Sequence, residues 1–324
     1  MTIAVGLVGA GGVGETHAEN LVESERASLE AVCDLDEATA RSVAAAADAR
    51  PFTDPEALFA ETDLDAVYVA TPPKTHAALV REATDRGLAV FCEKPLAASV
   101  DDGRAIADAV ADAGVPLMTG FCLRFAEPCL RLRALVADGA LGDPVTLFSA
   151  RAGQGVPAAG NWRVDPEQAC GVTVESASHN LDLLRWLGGE VAGAGGATAN
   201  VSHPEIDGFD DNVVATLSFE SGAIGCVRNS WTASVETLHH GVIGTDGAAV
   251  LEGDGWWRHD RLTYRTADDR HATTVEFDDA TATDVGYRAE TRAFLDAVEA
   301  GADPPVDARD GLRALELSHE VLSA

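Results

Sequence analysis

The amino-acid sequence predicts an α/β domain with a doubly wound parallel sheet, followed by an α+β domain with a large, mainly antiparallel open sheet. Up to about residue 120, short apolar strands alternate with helices, which is the pattern of βαβ units whose sheet is covered on both faces. Beyond Gly120 the alternation ends, and longer strand-like segments separated by turn signals follow. We therefore expect one domain at residues 1–120 and a second at residues 121–324, with C-terminal helices that can pack back on the first.

Apolar runs predict the strands of the first domain, which lie at residues 2–8, Leu29–Cys33, Pro51–Phe52, Ala66–Ala70, Leu88–Cys92 and Val115–Thr119. The segments between them predict helices, one ending near Val22 and the others at Glu37–Ala47, His76–Arg86 and Val100–Ala113. The strands are short and nearly all apolar, which is typical of strands buried on both faces of a parallel sheet.

The second domain is expected to begin with a helix at Glu127–Ala137 and a strand at Val145–Ala152. A loop rich in Gly, Ala and Pro then leads towards a helix at Ser178–Leu187. From Val213 to Leu251 the pattern is strand-like, with turn signals at residues 220–222 and 246–247, as in antiparallel hairpins. Two further helices are predicted, beginning at about Tyr287 and Arg309.

The charge of the chain excludes two classes of partner. Asp and Glu total 53 and Lys and Arg total 23, which gives a formal net charge of -30. Such a surface repels nucleic acid and anionic membranes. The acids are spread over the whole sequence, so we expect a salt-adapted, halophilic protein whose self-repulsion is screened at high ionic strength.

Cysteine usage and the N-terminal segment indicate the compartment. None of the six cysteines has CxxC or Cys/His zinc spacing, so we expect no metal site and free thiols in a reducing cytoplasm. The segment MTIAVGLVGAGG has no basic region and is interpreted as a strand entering a glycine turn, not as a signal peptide. No apolar run is long enough to span a bilayer. We expect a cytoplasmic protein.

A glycine-rich turn follows the first strand and opens the first helix. The pattern G-x-G-x-x-G is formed by Gly9, Gly11 and Gly14, and Gly12 and Val13 complete the loop. These glycines permit a tight turn and a close approach of a pyrophosphate, and the helix N-terminus attracts phosphate charge. The context of strand, turn and helix therefore predicts a dinucleotide-binding Rossmann domain.

The carboxylate that ends the second strand bears on the choice of dinucleotide. Asp34 lies at the distance expected for a group that hydrogen-bonds the adenosine ribose. A carboxylate there accepts a hydrogen bond from a 2′-hydroxyl but repels a 2′-phosphate. The next residue is Leu35, so no adjacent arginine can bind that phosphate, although Arg41 could still reach it. NAD is favoured over NADP.

Two polar loops follow later strands of the first domain. One loop contains Thr71, Pro72 and His76, and the other is Glu93-Lys94-Pro95. Ligands of open parallel sheets bind at the carboxyl ends of the strands. We therefore assign Thr71, Pro72, His76 and Glu93 to the cofactor site. Apart from Lys94, the chain has only one lysine, Lys74, which we interpret as a loop residue.

These motifs together resemble the Gfo/Idh/MocA family, which includes glucose–fructose oxidoreductase and inositol 2-dehydrogenase. The resemblance covers nearly the whole chain, in the motifs Gly9 to His17, T-P-P-x-x-H, E-K-P, Arg124-Phe125, His179 to Leu187 and Tyr287-x-x-Glu290-x-x-x-Phe294. It implies that Lys94 and His179 flank the substrate hydroxyl beside the nicotinamide, and that Lys94–Pro95 is a cis peptide bond.

The chemistry of these two side chains agrees with that implication. Oxidation of an alcohol removes a proton from oxygen and a hydride from carbon. An ammonium group such as that of Lys94 can hold the hydroxyl and favour the developing alkoxide. A neutral imidazole such as that of His179 can accept the proton, an effect typically worth about 10²–10⁴-fold.

Other residues have candidate roles. Many members of the family carry an Asp four residues before the histidine, where this chain has Glu175, which could orient His179 or contact substrate. Asp182 lies near the same helix face and could bind a substrate hydroxyl or be a solvated acid. Further substrate candidates are Trp162, Arg163 and Tyr287. His17 and His76 are expected to order the loops that line the cofactor, and the pair His239-His240 is interpreted as surface.

The sequence therefore predicts an NAD-dependent dehydrogenase that oxidises a secondary alcohol of a cyclic polyol or sugar. The resemblance implies a homodimer or homotetramer formed through the sheet of the second domain. Two alternatives stay open. One is an NAD-using glycosidase of the same family, and the other is a non-catalytic sensor or regulator that keeps the NAD-binding fold.

Overall fold

In a computed structural model of the protein, residues 2–158, 160–165 and 170–324 are described. The chain divides into two compact units. The first contains Met1–Phe121 and Tyr287–Leu315, and the second contains Cys122–Gly286 and Glu316–Ala324. Residues 287–315, which the prediction counted in the second domain with helices that can pack back on the first, belong to the first unit.

The first unit contains a six-stranded parallel sheet of order β3-β2-β1-β4-β5-β6. Its strands are β1 (Ile3–Val8), β2 (Ala27–Cys33), β3 (Arg50–Phe52), β4 (Ala66–Val69), β5 (Ala89–Cys92) and β6 (Leu117–Thr119). The strand order reverses direction between β1 and β4, and such a switch point is where open parallel sheets bind ligands. The predicted fold class of this domain is confirmed.

Three helices of the first unit begin at good capping residues. They are α1 (Val13–Val22), α2 (Glu37–Ala47), α3 (Pro55–Glu61), α4 (His76–Asp85) and α5 (Val100–Ala113). The side chains of Asp36, Asp54 and Ser99 accept hydrogen bonds from the first turns of α2, α3 and α5. Each such cap is worth about 1 kcal/mol. Helix α3 was missed from the sequence because its apolar pattern is only two turns long.

The C-terminal segment completes the first unit. The backbone N–H of Thr119 donates to the carbonyl of Val306 at 2.9 Å. Phe294, on a helix at Tyr287–Ala300, packs edge-on against Tyr68 and Phe91, with ring centroids 5.3 and 5.7 Å away. Tyr68 and Phe91 lie on the adjacent strands β4 and β5 and stack at 4.5 Å. The apolar surface of the parallel sheet is therefore covered in part by residues from the end of the chain.

The second unit contains an eight-stranded sheet of order β14-β13-β12-β11-β7-β10-β9-β8. All neighbouring strands are antiparallel except the pair β10 and β7. The strands are β7 (Pro144–Gln154), β8 (Val191–Ala199), β9 (Asn212–Phe219), β10 (Ile224–Ser230), β11 (Thr232–Gly244), β12 (Gly247–Gly253), β13 (Arg261–Thr266) and β14 (Thr273–Glu276). The predicted open, mainly antiparallel sheet is confirmed.

One face of this sheet forms the core of the second unit. Its helices are α6 (Glu127–Ala137), α7 (Val172–Glu175), α8 (Ala177–Gly188) and α9 (Asp279–Thr283), and the chain ends in α10 (Tyr287–Ala300) and α11 (Ala308–Leu322). Leu181 and Leu184 of α8 are buried in one cluster with Leu147, Leu217 and Val227 of the sheet. Each fully buried leucine contributes about 1.5–3 kcal/mol. Residues along β9 alternate between buried and exposed, as expected of a sheet with one open face.

Candidate functional site

Close backbone packing explains two of the glycines in the loop after β1. A Cβ on Gly9 would lie 2.6 Å from the backbone of Ala70, and Gly9 has a positive φ of 93°. A Cβ on Gly14 would lie 2.0 Å from the carbonyl oxygen of Gly9. No other residue can occupy these positions without moving the turn. These glycines therefore fix the turn itself.

The other two glycines of the loop leave space for a ligand. A Cβ on Gly11 or on Gly12 would meet nothing within 4 Å. Helix α1 begins at Val13, and its N-cap residue Gly12 makes no side-chain hydrogen bond. The helix N-terminus therefore offers open backbone N–H groups and a favourable dipole for a phosphate. The loop fits a dinucleotide pyrophosphate.

Asp34 directly follows β2 and is held against the same loop. One carboxylate oxygen accepts a hydrogen bond from the backbone N–H of Ala10 at 2.8 Å, and the other accepts from Asp36 at 3.0 Å. These bonds fix the carboxylate beside the glycine turn. Each oxygen keeps a further lone pair that can accept a hydrogen bond from a ribose hydroxyl.

A small pocket opens beside the end of β2. Its lining residues are Glu37, Ala40, Arg41, Pro51, Phe52 and Thr53. The guanidinium of Arg41 donates to Glu37 at 2.6 and 2.9 Å. On the wall of this pocket Arg41 is therefore paired with Glu37.

His76 orders the loop that follows β4. Its Nε2 lies 2.8 Å from the carbonyl of Thr71 and its Nδ1 lies 3.2 Å from the carbonyl of Leu96. Burial lowers the pKa of His76, against the effect of these carbonyls. The imidazole therefore ties the loop with Thr71 and Pro72 to the segment after Lys94.

His17 and Glu93 form a buried pair next to Lys94. The Nε2 atom of His17 lies 2.7 Å from Oε1 of Glu93, and the backbone N–H of Lys94 donates to Oε2 of Glu93 at 3.0 Å. The Lys94–Pro95 bond is cis, as expected. Glu93 was assigned to the cofactor site from its position after β5. Its carboxylate is bonded to His17 and to the backbone N–H of Lys94.

His179 lies on α8 in the second unit and is only 2% exposed. Its imidazole meets the indole of Trp257 edge to face, with ring centroids 5.2 Å apart and an interplanar angle of 88°. Trp257 lies in the turn between β12 and β13. Nothing in the sequence near Trp257 indicated this contact.

Glu175 is held by one of the predicted substrate residues. The Nε and Nη2 atoms of Arg163 both donate to Oε1 of Glu175, at 3.1 and 2.9 Å. The guanidinium of Arg163 also lies 4.6 Å from the ring of Trp162. The structure therefore brings Glu175, Arg163 and Trp162 into one cluster.

Asp182 is buried, not solvated. Its two carboxylate oxygens accept hydrogen bonds from Arg124, at 2.8 Å from Nε and 2.5 Å from Nη2. Arg124 and Asp182 are 8% and 2% exposed at their side chains. Arg124 was visible in the sequence only through the family motif, because the two residues are far apart along the chain.

The structure places Tyr287 and the pair His239-His240 in surroundings that the sequence did not indicate. Tyr287 begins α10 in the first unit, where its ring lies 5.7 Å from that of His17. The interpretation of His239-His240 as a surface pair without a carboxylate was wrong. His239 is half-buried and lies 3.6 Å from Glu252, whereas His240 is fully buried and bonds Ser149 at 2.7 Å. Neighbouring residues on a strand point to opposite faces.

No candidate metal cluster of three or more His, Cys, Asp or Glu residues occurs within residues 2–158, 160–165 and 170–324. In the same described part of the chain, no helix is both long enough and apolar enough to cross a membrane.

The residues around the glycine loop and the second sheet match known families. Residues 3–121 match an oxidoreductase family with an NAD-binding Rossmann fold, and residues 129–250 match the GFO/IDH/MocA C-terminal domain. The chain belongs to the Gfo/Idh/MocA family. The resemblance inferred from the motifs is confirmed, as is the assignment to the oxidoreductases.

Relatives within the Gfo/Idh/MocA family cover almost all of the chain. It is 34% identical to D-xylose 1-dehydrogenase (NADP(+)) 2 of Haloferax volcanii over 96% of this chain and 93% of that protein. It is 30% identical to inositol 2-dehydrogenase of Rhizobium meliloti over 98% of this chain and 95% of that protein. The crystal structure of GenD2 from gentamicin A biosynthesis, in complex with NAD, has a TM-score of 0.86 and 27% identity over 99% of this chain and 93% of that one.

Proposed function

We propose that the protein is an NAD-dependent dehydrogenase that oxidises a secondary alcohol of a cyclic polyol or sugar. The observation that supports this most strongly is that, in a Gfo/Idh/MocA chain, the backbone of Lys94 is fixed by the buried Glu93 and the imidazole of His179 is buried against Trp257. Similarity to a D-xylose dehydrogenase and to an inositol dehydrogenase supports the substrate class.

In this proposal Lys94 positions the substrate oxygen and His179 removes its proton. The ammonium group of Lys94 favours the developing alkoxide, and its backbone N–H is fixed by Glu93. The imidazole of His179 acts as the general base. The glycine loop and Asp34 would hold NAD, which would supply the acceptor for the hydride of the carbinol carbon.

The remaining candidate residues would shape the substrate site. Arg163 donates two hydrogen bonds to one oxygen of Glu175. We propose that Glu175 positions Arg163 and Trp162 for contact with substrate and contributes to the orientation of His179. We propose that Asp182, whose carboxylate accepts hydrogen bonds from Arg124, also accepts one from a substrate hydroxyl. Tyr287 stays a proposed substrate contact from the family motif.

The test is turnover with a panel of inositols, aldoses, sugar acids and dihydrodiols, followed as NADH formation in high salt. Lys94→Ala and His179→Ala should each lower kcat by at least about 10²-fold while NAD still binds. Lys74→Ala and His239→Ala are the matched controls. Wild-type turnover in either catalytic variant would refute the roles, and glycoside cleavage without net NADH would favour the glycosidase alternative.

We propose that the cofactor is NAD in preference to NADP. The fixed carboxylate of Asp34 beside the loop and the pairing of Arg41 with Glu37 support this, since neither favours a 2′-phosphate. The Haloferax volcanii relative carries NADP(+) in its name, so the preference requires a direct measurement. The ratio of kcat/KM for NAD to that for NADP should exceed one, and Asp34→Ser together with Glu37→Gln should lower it.

We propose that the protein is a cytoplasmic, salt-adapted homodimer or homotetramer that binds neither nucleic acid nor membrane. The net charge of -30 supports salt adaptation. On the open face of the second sheet, Ile224 and Ile243 flank Thr146 and are 59% and 47% exposed. Exposed isoleucines on a sheet face are typical of a surface that a second copy covers.

A further inference from the structure

A buried arginine lies beneath Trp257 in the second unit. Arg151, on β7, is 1% exposed, and its guanidinium carbon lies 3.7 Å from the centroid of the Trp257 ring. The same guanidinium lies 5.6 Å from the ring of Trp256. A planar cation stacked on an indole at this distance is a strong cation–π contact, more so when it is desolvated.

The stack continues to His179. Trp257 contacts Arg151 with its ring face and meets the imidazole of His179 edge to face at 5.2 Å. The two contacts together place the guanidinium carbon within about 9 Å of the imidazole centroid. In addition, Nη2 of Arg151 donates to Oγ of Ser176 at 2.8 Å, and Ser176 is the N-cap residue of α8, which carries His179. Arg151 is thus linked to His179 through the Trp257 ring and through its hydrogen bond to Ser176.

The surroundings hold this array in one geometry. A Cβ on Gly153 would lie 2.8 Å from Trp256, and a Cβ on Gly155 would lie 2.5 Å from the same indole. Trp256 is therefore seated directly on the backbone at the end of β7. Asn229 of β10 donates to Ser176 at 3.4 Å from the other side. Few alternative positions are open to the Arg151 side chain, since close-packed interiors relax little.

We propose that Arg151 is a positioning residue for the reaction: through Trp257 and Ser176 it fixes the orientation of the His179 imidazole and disfavours its cationic form. The proposal rests on the proposed role of His179 as the general base. A displacement of a catalytic group by about 1 Å can cost roughly 10²-fold in rate, so a rigid support for the imidazole has a direct kinetic consequence.

The charge of Arg151 also acts on other buried histidines. Burial and then the Arg151 guanidinium lower the pKa of His259 to about 4, against the effect of Asp260. The pKa of His240 is lowered by burial, and then by His259 and Arg151. A buried cation therefore already favours neutral imidazoles on this face of the sheet. On α8 itself the other ionisable residues are Asp182, paired with Arg124, and Arg185, and Glu175 before the helix is paired with Arg163. Arg151 and His240 lie on β7 and β11, and His259 lies between β12 and β13.

The test measures His179 itself and turnover in the full-length protein. The Hε1 resonance of His179, assigned by its absence in His179→Gln, is followed by NMR in histidine-labelled protein as the pH changes. Arg151→Met should move the midpoint upward by about one pH unit, as expected for a charge about 9 Å away, and should lower kcat by roughly 10²-fold with NAD binding unchanged. Arg151→Lys keeps the charge and should restore the midpoint but not kcat.

The matched control is Arg133→Met, which removes an arginine 5.7 Å from the ring of Trp186 and should leave the His179 midpoint and kcat unchanged. An unchanged midpoint in folded Arg151→Met would overturn the proposal. If Arg151→Met does not fold, the variant Trp257→Phe tests the proposal instead. It should shift the His179 resonance and lower kcat, and an unshifted resonance would overturn the proposal. Wild-type turnover in His179→Gln would instead reject the function, while the midpoint in Arg151→Met still reports whether Arg151 acts on His179.

Discussion

Glu290 should make the first unit less stable as the pH rises through neutrality. This residue of α10 is fully buried, and neither of its carboxyl oxygens has a hydrogen-bond partner among the residues that the structure describes. Burial raises the pKa of Glu290 well above its usual range, and the nearby Glu93 raises it further. The folded state therefore keeps a proton that the unfolded chain releases near pH 4.5.

The size of the effect follows from linkage. Between the unfolded and the folded pKa, the folded state binds more protons, so the free energy of unfolding falls as pH rises, by about 1.4 kcal/mol per pH unit. Glu290→Gln removes this contribution because an amide carries no proton to lose. The stability of Glu290→Gln relative to the wild type should therefore grow by about 2.5 kcal/mol from pH 5 to pH 7.

Hydrogen exchange of the amides in Tyr287–Ala300, corrected for the intrinsic pH dependence of exchange, measures the opening free energy of the first unit alone. Glu299→Gln is the control on the same helix. Glu299 is paired with Arg26, which lowers its pKa, so it is ionised in both states over this range and its effect should be independent of pH. A relative stability of Glu290→Gln that does not change with pH would refute the reasoning.

Three further predictions concern the second unit and the surface. Removing one member of the buried Arg124–Asp182 pair, as in Arg124→Met or Asp182→Asn, should lower the free energy of unfolding in urea by about 3–5 kcal/mol. The control Glu127→Gln breaks an exposed pair and should lower it by at most about 1 kcal/mol. Equal losses would contradict this prediction. Stability should increase from low to multimolar KCl, and a maximum at low salt would argue against salt adaptation. Ile224→Asp should reduce the mass of the oligomer measured by light scattering, whereas Val201→Asp should leave it unchanged. An unchanged mass in Ile224→Asp would show that the open face of the second sheet is not the contact between copies.

Sequence reasoning was most successful where structure depends on neighbouring residues. The glycine loop, the position of Asp34 after its strand and the boundaries of α2 and α5 all follow from local turns, caps and hydrophobic periodicity. Short elements such as α3 were not predicted, because a two-turn helix gives little periodic signal in the sequence.

The parts of the candidate site that the sequence did not predict depend on contacts between distant segments. The Arg124–Asp182 pair and the Trp257–His179 contact join residues on different elements, and no spacing rule connects them. The error at His240 had a different cause. Two adjacent polar residues were interpreted as surface, although the alternation of a strand buries one of every two neighbours on a one-sided sheet.

The return of residues 287–315 to the first unit has a consequence for biosynthesis. At a translation rate of about 5–20 residues per second, the whole of residues 122–286 emerges from the ribosome in roughly ten to thirty seconds, and during this time the nascent Rossmann unit lacks Phe294. Tyr68 and Phe91 are then missing a covering ring, so early chains expose aromatic surface that a chaperone can recognise. Release from such a chaperone would follow the synthesis of residues 287–315.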